Sequence, residues 1–329
     1  MKNRTLILLA GVILLLVLVA AATGVFYLTA GTHIDFVTVR GEHATYQGSG
    51  LYWFDPASVA REGMVWDVID LCLALPLFAA AIVLSQRNAL RGRLLLGGMF
   101  FYFFYKYMMY ATMVAFNPLF LVYVAIFALS AVAFFLNLQG VDVAGLLARF
   151  SARFPRRLFI GFTLVMSAAL ILLWLARIIP YTIVGRFPDE IAGMTTLVTQ
   201  AFDLGIVVPL LLATAILLWR RSAWGYFLAG ISLTFGFIMC ITLPAWIAVP
   251  LIQSGQINLV EAAPFVLLCL VGLYVAGRFF WSVQEEKASR FTPPKPTTQQ
   301  DDEQSKPASQ NATESHEPML SPEASAPLS

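Results

Sequence analysis

The chain of 329 residues is 59% hydrophobic and only 12% charged, with a formal net charge of +2. A soluble domain carries about a quarter charged residues, so this composition excludes an ordinary soluble globular protein. The small net charge also gives no reason to expect a nucleic-acid partner. Long apolar runs separated by basic connections are typical of an integral membrane protein with several spans, and the lipid bilayer is its first expected partner.

The N-terminal part of the sequence predicts one span followed by an exported loop. Lys2 and Arg4 precede the apolar run Leu6 to Leu28, which is long enough to cross a bilayer. A cleaved signal peptide is the alternative, but the run continues past its small residues, and we favour an uncleaved helix. Residues 29–62 form the predicted outer loop, in which the alternating segment 34–39 favours a small β-hairpin over the outer mouth.

Seven further spans follow in the sequence, so the predicted fold class is an all-α, polytopic transmembrane bundle of about eight helices. They are expected at about 63–84, 94–114, 119–138, 158–179, 194–219, 224–250 and 262–281. The basic connection 139–157 has an apolar face that suggests a short helix on the membrane surface. Arginine-rich connections fall on alternate sides, which predicts that both termini are cytoplasmic.

The C-terminal segment differs sharply in composition from the rest. Residues 284–329 are rich in Pro, Ser, Thr, Gln, Glu and Lys. Such a segment buries too little apolar surface to offset the entropy of ordering it. The predicted domains are therefore a transmembrane helical domain, 1–283, and a disordered cytoplasmic tail, 284–329.

Three short stretches resemble an uncharacterised family of bacterial multi-pass membrane proteins. They are the outer segment Gly50–Asp55, the turn Asn117–Val124 and the segment Thr195–Gly205. The resemblance covers roughly Val39 to Ser282 and implies a multi-pass protein of the bacterial cytoplasmic membrane. The family has no assigned activity, so the resemblance implies no substrate, cofactor or catalytic residue.

A lysine in the middle of a membrane-length apolar run is the main candidate for a polar site. Lys106 lies within Met99 to Pro118, and helical spacing places Tyr102 and Tyr110 on the same stripe. An unpaired ammonium in hydrocarbon is costly. We therefore expect Lys106 to face a partner or water inside the bundle.

Several carboxylates of other spans fall at a similar depth. With a rise of about 1.5 Å per residue, Asp70, Asp203 and Lys106 share one layer in the outer half of the bilayer. Asp67 and Arg177 lie closer to the outer surface, and Gln200 is on the same polar helix face as Asp203. The predicted polar layer consists of Asp67, Asp70, Tyr102, Lys106, Tyr110, Arg177, Gln200 and Asp203.

This layer has two interpretations. It is either an outward-facing cavity that binds a small cation, a proton or a polar solute, or an ion pair of Lys106 with Asp70 or Asp203 that locks the packing. The corresponding functions are the handling of an ion or small polar solute, and a non-catalytic membrane component or sensor that binds a partner through its outer loop or tail. A water-filled cavity reaching Asp203 would favour the first function, and a dry, fully paired layer the second.

Other site chemistries find little support in the sequence. His33, Asp35, Glu42 and His43 could chelate a metal, but polar residues of a wet loop are more often simply solvated. We see no catalytic motif, so an enzyme acting on lipid is the weakest hypothesis, and we predict no cofactor. We also see no internal repeat of the kind that marks a two-fold transporter.

Overall fold

The computed structural model describes residues 2–151, 154–185, 191, 193–254 and 259–285. Helices dominate them, because backbone polar groups in an apolar environment must be paired within the segment. The α-helices are α1 (Lys2–Phe26), α2 (Ala57–Ile69), α3 (Leu75–Gln86), α4 (Leu90–Met113), α5 (Phe120–Gln139), α6 (Arg156–Val184), α7 (Val198–Phe202), α8 (Val208–Trp219), α9 (Ala223–Ser254) and α10 (Leu259–Ser282).

Six helical segments of the described chain are long and apolar enough to cross a membrane, which makes this a multi-pass membrane protein. Many large apolar side chains on these helices are exposed on the outside of the bundle, where lipid would cover them. The six segments are Arg4–Phe26, Ala57–Gln86, Phe120–Gln139, Arg156–Val184, Val198–Trp219 and Ala223–Trp246.

The predicted hairpin between the first two membrane segments is confirmed. Strand β1 (Ile34–Val37) pairs antiparallel with β2 (His43–Tyr46), and the turn between them uses the positive φ of Gly41. The hairpin also contacts the segment before α7, where the guanidinium of Arg40 donates to the carbonyl oxygen of Met194 at 2.9 Å. It therefore covers the end of the bundle at which α2 and α7 begin.

Two membrane segments contain the same local irregularity, a π-turn placed just before a proline. Residues Asp70–Ala74 join α2 to α3, and residues Asp203–Val207 join α7 to α8. In each turn a backbone N–H donates to a carbonyl five residues earlier, that of the aspartate. Pro76 and Pro209 lack the N–H of a regular helix and crowd the preceding turn, so one extra residue is accommodated there.

These two segments belong to an internal repeat, so the expectation of no repeat is wrong. The sequence Asp70-Leu-Cys-Leu-Ala-Leu-Pro-Leu77 matches Asp203-Leu-Gly-Ile-Val-Val-Pro-Leu210. Continued without a gap, the alignment pairs Arg87 with Arg220, Asn88 with Arg221, Gly92 with Gly225 and Gly97 with Gly230. Asn88 and Arg221 are also the two non-glycine residues of the described chain with positive φ, at 57° and 55°.

Helix packing follows the same repeat. In the first half α4 packs between α3 and α5, and α1 contacts α3; in the second half α9 packs between α8 and α10, and α6 contacts α8. The halves meet where α4 packs against α9. Since α2 and α7 both begin at the hairpin end, the two halves run parallel, as in transporters whose repeats are related by an axis along the membrane normal.

Two predictions about segments outside the main helices can be compared with the structure. The connection after α5 contains a short helix, as predicted, but it is a 3₁₀ helix, Ala144–Arg149, and its Leu146 is buried. Of the predicted tail, only residues 284 and 285 are described; the carboxylate of Glu285 accepts from the backbone N–H of Leu90, at 2.7 Å, and of Arg91, at 3.0 Å. The remainder of the predicted tail lies outside the described residues.

Candidate functional site

The first half of the bundle positions two carboxylates and one ammonium against each other. Asp67, near the end of α2, and Asp70, at the start of the π-turn, are three residues apart and share one helix face. Lys106 extends toward them from α4. Its Nζ lies 2.9 Å from Asp67 Oδ1 and 2.7 Å from Asp70 Oδ2, so a single ammonium bridges both carboxylates.

Four tyrosine hydroxyls also donate to these carboxylates. Tyr102 donates to Asp70 Oδ1 at 2.7 Å, and Tyr107 to Asp70 Oδ2 at 3.3 Å. Tyr110 donates to Asp67 Oδ1 at 3.1 Å, and its hydroxyl also lies 2.9 Å from the carbonyl oxygen of Gly63. Tyr52, from the loop before α2, donates to Asp67 Oδ2. Every carboxylate oxygen therefore accepts at least one hydrogen bond.

Aromatic faces surround the ammonium on its remaining sides. The Nζ atom of Lys106 lies 4.6 Å from the ring centre of Tyr110, 5.3 Å from that of Tyr107 and 5.6 Å from that of Trp66. A cation held over desolvated rings is stabilised by their quadrupoles. We call these eight residues the Lys106 cluster: Tyr52, Trp66, Asp67, Asp70, Tyr102, Lys106, Tyr107 and Tyr110.

The cluster is sealed from solvent by close helix packing. Lys106 and Asp70 are 0% exposed and Asp67 is 1% exposed. A side chain on Gly24 of α1 would begin 1.8 Å from Asp67 Oδ2, so only glycine allows α1 to approach this closely. Burial, followed by the charge of Asp67, raises the pKa of the Tyr52 hydroxyl well above its ordinary value, which keeps it a hydrogen-bond donor.

The charges of the Lys106 cluster do not cancel. One ammonium faces two carboxylates, so the cluster carries one excess negative charge when both carboxylates are ionised. Four hydroxyl donors and the ammonium spread that charge over hydrogen bonds, which is the main way a buried anion is tolerated without a second cation.

Asp203 lies in a different environment, so of the two partners considered for Lys106 it is Asp70 that forms the ion pair. Its Oδ1 accepts from the hydroxyl of Tyr105, and its Oδ2 accepts from Trp174 Nε1 at 2.9 Å. Tyr105 precedes Lys106 on α4 but points toward the second half of the bundle. The repeat explains the difference, because Asp203 is the counterpart of Asp70 and therefore belongs to the other half.

The remaining members of the predicted layer divide between the two halves. Tyr102 and Tyr110 join the Lys106 cluster, as does Asp67 despite its shallower expected depth. The guanidinium of Arg177 lies 5.6 Å from the ring centre of Trp174, and so near the group that holds Asp203. Gln200 is buried in α7, one turn before Asp203. The structure thus replaces one continuous layer by two separate polar groups.

Sequence reasoning missed five residues that contact these charges. They are Tyr52, Trp66, Tyr105, Tyr107 and Trp174. Tyr107 and Tyr105 lie in the aromatic run around Lys106, and a count of hydroxyls against carboxylates would have drawn attention to them. Tyr52 comes from the outer loop, and no spacing rule connects a loop residue to a buried aspartate.

The two carboxylates considered for a metal site in the outer loop, Asp35 and Glu42, are engaged in other contacts. Asp35 accepts from the Thr45 hydroxyl at 2.6 Å, and Glu42 forms an ion pair with Arg40 at 3.2 Å. Within the described ranges, no group of three or more His, Cys, Asp or Glu residues is arranged to hold a metal ion.

The chain matches no family model, no curated protein and no solved structure. The resemblance to an uncharacterised family of bacterial membrane proteins therefore stays a prediction. The class of protein follows from the geometry alone: a multi-pass membrane protein with two parallel halves and a sealed ionic cluster in the first half.

Proposed function

We propose that this protein is an eight-span, non-catalytic component of the bacterial cytoplasmic membrane. The two spans beyond the six apolar segments are α4 and α10. The charged and tyrosine residues of α4 lower its hydropathy, but its middle is buried among other helices and needs no lipid contact. The described part of α10 is apolar from Val266 to Ser282. Arginine-rich ends on the side away from the hairpin support cytoplasmic termini.

One observation carries the choice of a non-catalytic role, namely that Lys106, Asp67 and Asp70 are buried and held by groups of their own chain. A transport or ligand site needs access, whereas Lys106 and Asp70 are fully buried and saturated with contacts from their own chain. The best-attested structural role of buried ionic groups is to fix the register of packed helices. The cluster joins α2, α4 and the outer loop, and we assign it that structural role.

The outer hairpin is the surface we propose for a protein partner. Its exposed apolar side chains include Val39, which is fully exposed, together with Ile34 and Val37. The hairpin is anchored at both halves of the bundle by the Arg40–Met194 bond and by the continuing chain, so it offers a fixed surface. Apolar residues grouped on a fixed extramembrane element are typical of interaction sites.

A second candidate function, proton or solute handling, is favoured by a specific observation. Asp203 accepts two hydrogen bonds, yet no described cation lies within ion-pair distance of it, and the parallel repeat is an arrangement that transporters use. A carboxylate at membrane depth without a cation is a natural proton acceptor.

Proton flux into vesicles separates the two functions. The full-length protein is reconstituted into liposomes that contain a pH-sensitive dye, and a pH gradient is imposed across the membrane. We expect the rate of internal pH change to equal that of protein-free liposomes. A protein-dependent flux that Asp203→Asn abolishes, and that Tyr52→Phe leaves intact, would contradict the non-catalytic role and establish the second candidate.

A further inference from the structure

A cavity of about 570 Å³ lies at the end of the bundle opposite the hairpin, and it is basic. Three arginines line it: Arg156 and Arg157 at the start of α6, and Arg221 between α8 and α9. The other lining residues are apolar, aromatic or hydroxyl-bearing, and no carboxylate is among those described. None of the three guanidinium groups lies within ion-pair distance of a described carboxylate. The cavity thus concentrates positive charge that the described part of its walls does not neutralise.

A tyrosine in the cavity lining adds a neutral hydrogen-bond donor to the three arginines. Tyr226 is only 8% exposed and lines the cavity, and its hydroxyl has no hydrogen-bond partner in the part of the chain that the structure describes. Its ring is fixed by Phe150 and Phe154, with centroid distances of 4.7 and 5.0 Å. The hydroxyl oxygen itself stays accessible to solvent, so it is available as a hydrogen-bond donor to a ligand in the cavity.

Comparison of the two repeats shows that the arginine at position 221 occupies an unfavourable backbone conformation. Asn88, its counterpart, has nearly the same positive φ, and asparagine tolerates that region well. Arg221 adopts it at φ 55° without that advantage. Residues in such sparsely populated conformations cluster at functional sites, which makes Arg221 a candidate for a function.

In the first repeat, the N-terminus of the corresponding helix, α4, binds an anion. At the start of α4, the backbone N–H groups of Leu90 and Arg91 bind the carboxylate of Glu285. The equivalent start of α9 follows directly after Arg221, next to the basic cavity. In the first half the chain itself supplies the anion, the carboxylate of Glu285. At the matching start of α9, an anion from outside the chain can bind in the same way.

Exposed tryptophans place the cavity at the level of the lipid headgroups. Trp219 and Trp224 flank Arg221 in the sequence and are 75% and 46% exposed, and Trp281 at the end of α10 is 82% exposed. Tryptophan side chains concentrate at the membrane–water interface. Basic pockets between helices at that depth suit the phosphate of an anionic lipid.

We propose that the cavity lined by Arg156, Arg157, Arg221 and Tyr226 binds a phosphate-bearing anion, namely the headgroup of an anionic phospholipid. The guanidinium groups bind the phosphate oxygens, and the Tyr226 hydroxyl donates to one of them. The aromatic base formed by Phe150 and Phe154 contacts the apolar part of the lipid next to the headgroup. This inference does not depend on the non-catalytic role proposed above.

Ligand-induced thermal stabilisation of the full-length protein in a neutral detergent tests the proposal. The probes are short-chain phosphatidylglycerol, short-chain phosphatidylcholine and inorganic phosphate. We expect concentration-dependent stabilisation by phosphatidylglycerol that exceeds stabilisation by phosphatidylcholine. If inorganic phosphate stabilises the protein and phosphatidylglycerol does not, the cavity binds phosphate but its ligand is not a lipid headgroup, which would overturn the lipid assignment. Equal effects of the two lipids, with none from phosphate, would overturn the site.

Substitutions of cavity residues test whether the lipid binds in this cavity. Arg221→Asn restores the residue type of the first repeat, so the variant should fold at least as well as the natural chain. We expect it to weaken phosphatidylglycerol binding about tenfold or more, because a charged hydrogen bond is lost. Arg220→Gln removes the same charge one residue away, outside the cavity lining, and should bind normally. Equal affinities of these two variants would overturn the assignment, as would unchanged binding by Tyr226→Phe.

Discussion

Asp70 and Asp203 occupy matching positions at the start of the two π-turns, but they have different partners. Asp70 binds the ammonium of Lys106 at 2.7 Å and the hydroxyl of Tyr102 at the same distance. Asp203 accepts from the hydroxyl of Tyr105 and the indole N–H of Trp174. In the first half the aspartate is thus paired with a buried cation, whereas in the second half it accepts hydrogen bonds from neutral donors.

Removal of the buried cation should destabilise the first half. Lys106→Met leaves Asp67 and Asp70 facing each other without a cation, and loss of one partner of a buried ion pair costs about 3–5 kcal/mol. Unfolding of the purified variant in detergent, followed by circular dichroism, measures the loss. The triple variant with Asp67→Asn and Asp70→Asn should recover most of it, because no buried charge then remains. An unchanged midpoint for Lys106→Met would contradict the structural role.

The coupling between Lys106 and the two aspartates should differ. Lys106→Met combined with Asp70→Asn should be less destabilising than the sum of the single changes, since the two groups are in contact. The same lysine change combined with Asp203→Asn should be additive within about 0.5 kcal/mol, because the two residues share no described partner. Double-mutant cycles on unfolding free energies measure both couplings. Strong coupling to Asp203 would place that carboxylate in the Lys106 cluster after all.

Asp55, just before α2, should make stability depend on pH. Burial raises the pKa of this carboxyl from 3.8 to about 6, although its bond from the Ala115 N–H partly opposes the rise. The folded state then binds the proton more tightly than the unfolded state, so stability is greatest below about pH 4 and falls as the pH rises to 6. We expect Asp55→Asn to remove this part of the fall. The measurement is the unfolding free energy of both proteins from pH 4 to 7. If the difference between them stays constant over this range, Asp55 is not the source of the pH dependence.

The contact between the halves should tolerate no added methyl group at Gly98. A Cβ atom there would lie 2.3 Å from the Cβ of Thr234 on α9. Gly98→Ala must therefore separate α4 from α9, at a cost of about 1–3 kcal/mol. Gly236→Ala is the matched control on α9, because open space surrounds that position and alanine favours helix by up to about 1 kcal/mol. Equal stability of the two variants would argue against this packing.

Cysteine labelling of intact cells tests the proposed threading. In a variant without Cys72, Cys240 and Cys269, a cysteine placed at Val39 in the hairpin should react with an impermeant reagent. A cysteine at Ser222, at the far end of α8 from the hairpin, should react only after the membrane is permeabilised. Modification of Ser222→Cys in intact cells would reverse the orientation that the arginine distribution predicts.

The sequence by itself determined the class of this protein, the positions of its helices and the hairpin. Those features depend on local quantities, namely the length of apolar runs, the position of charges and the alternation of residues in 34–39. The inward position of Lys106 was also predictable from the sequence. Exposure of its ammonium to lipid costs more free energy than pairing it inside the bundle.

Tertiary structure alone decided which groups of equal depth meet. Depth along the membrane normal follows from counting residues, but rotation about that axis does not. Asp70 and Asp203 were therefore equivalent partners for Lys106 until the packing of α4 against both halves was known. The repeat decides between them: α4 presents Lys106 to its own half and Tyr105 to the other. Tyr52 reaches Asp67 because the outer loop folds inward beside Gly24, an approach that helical periodicity does not encode.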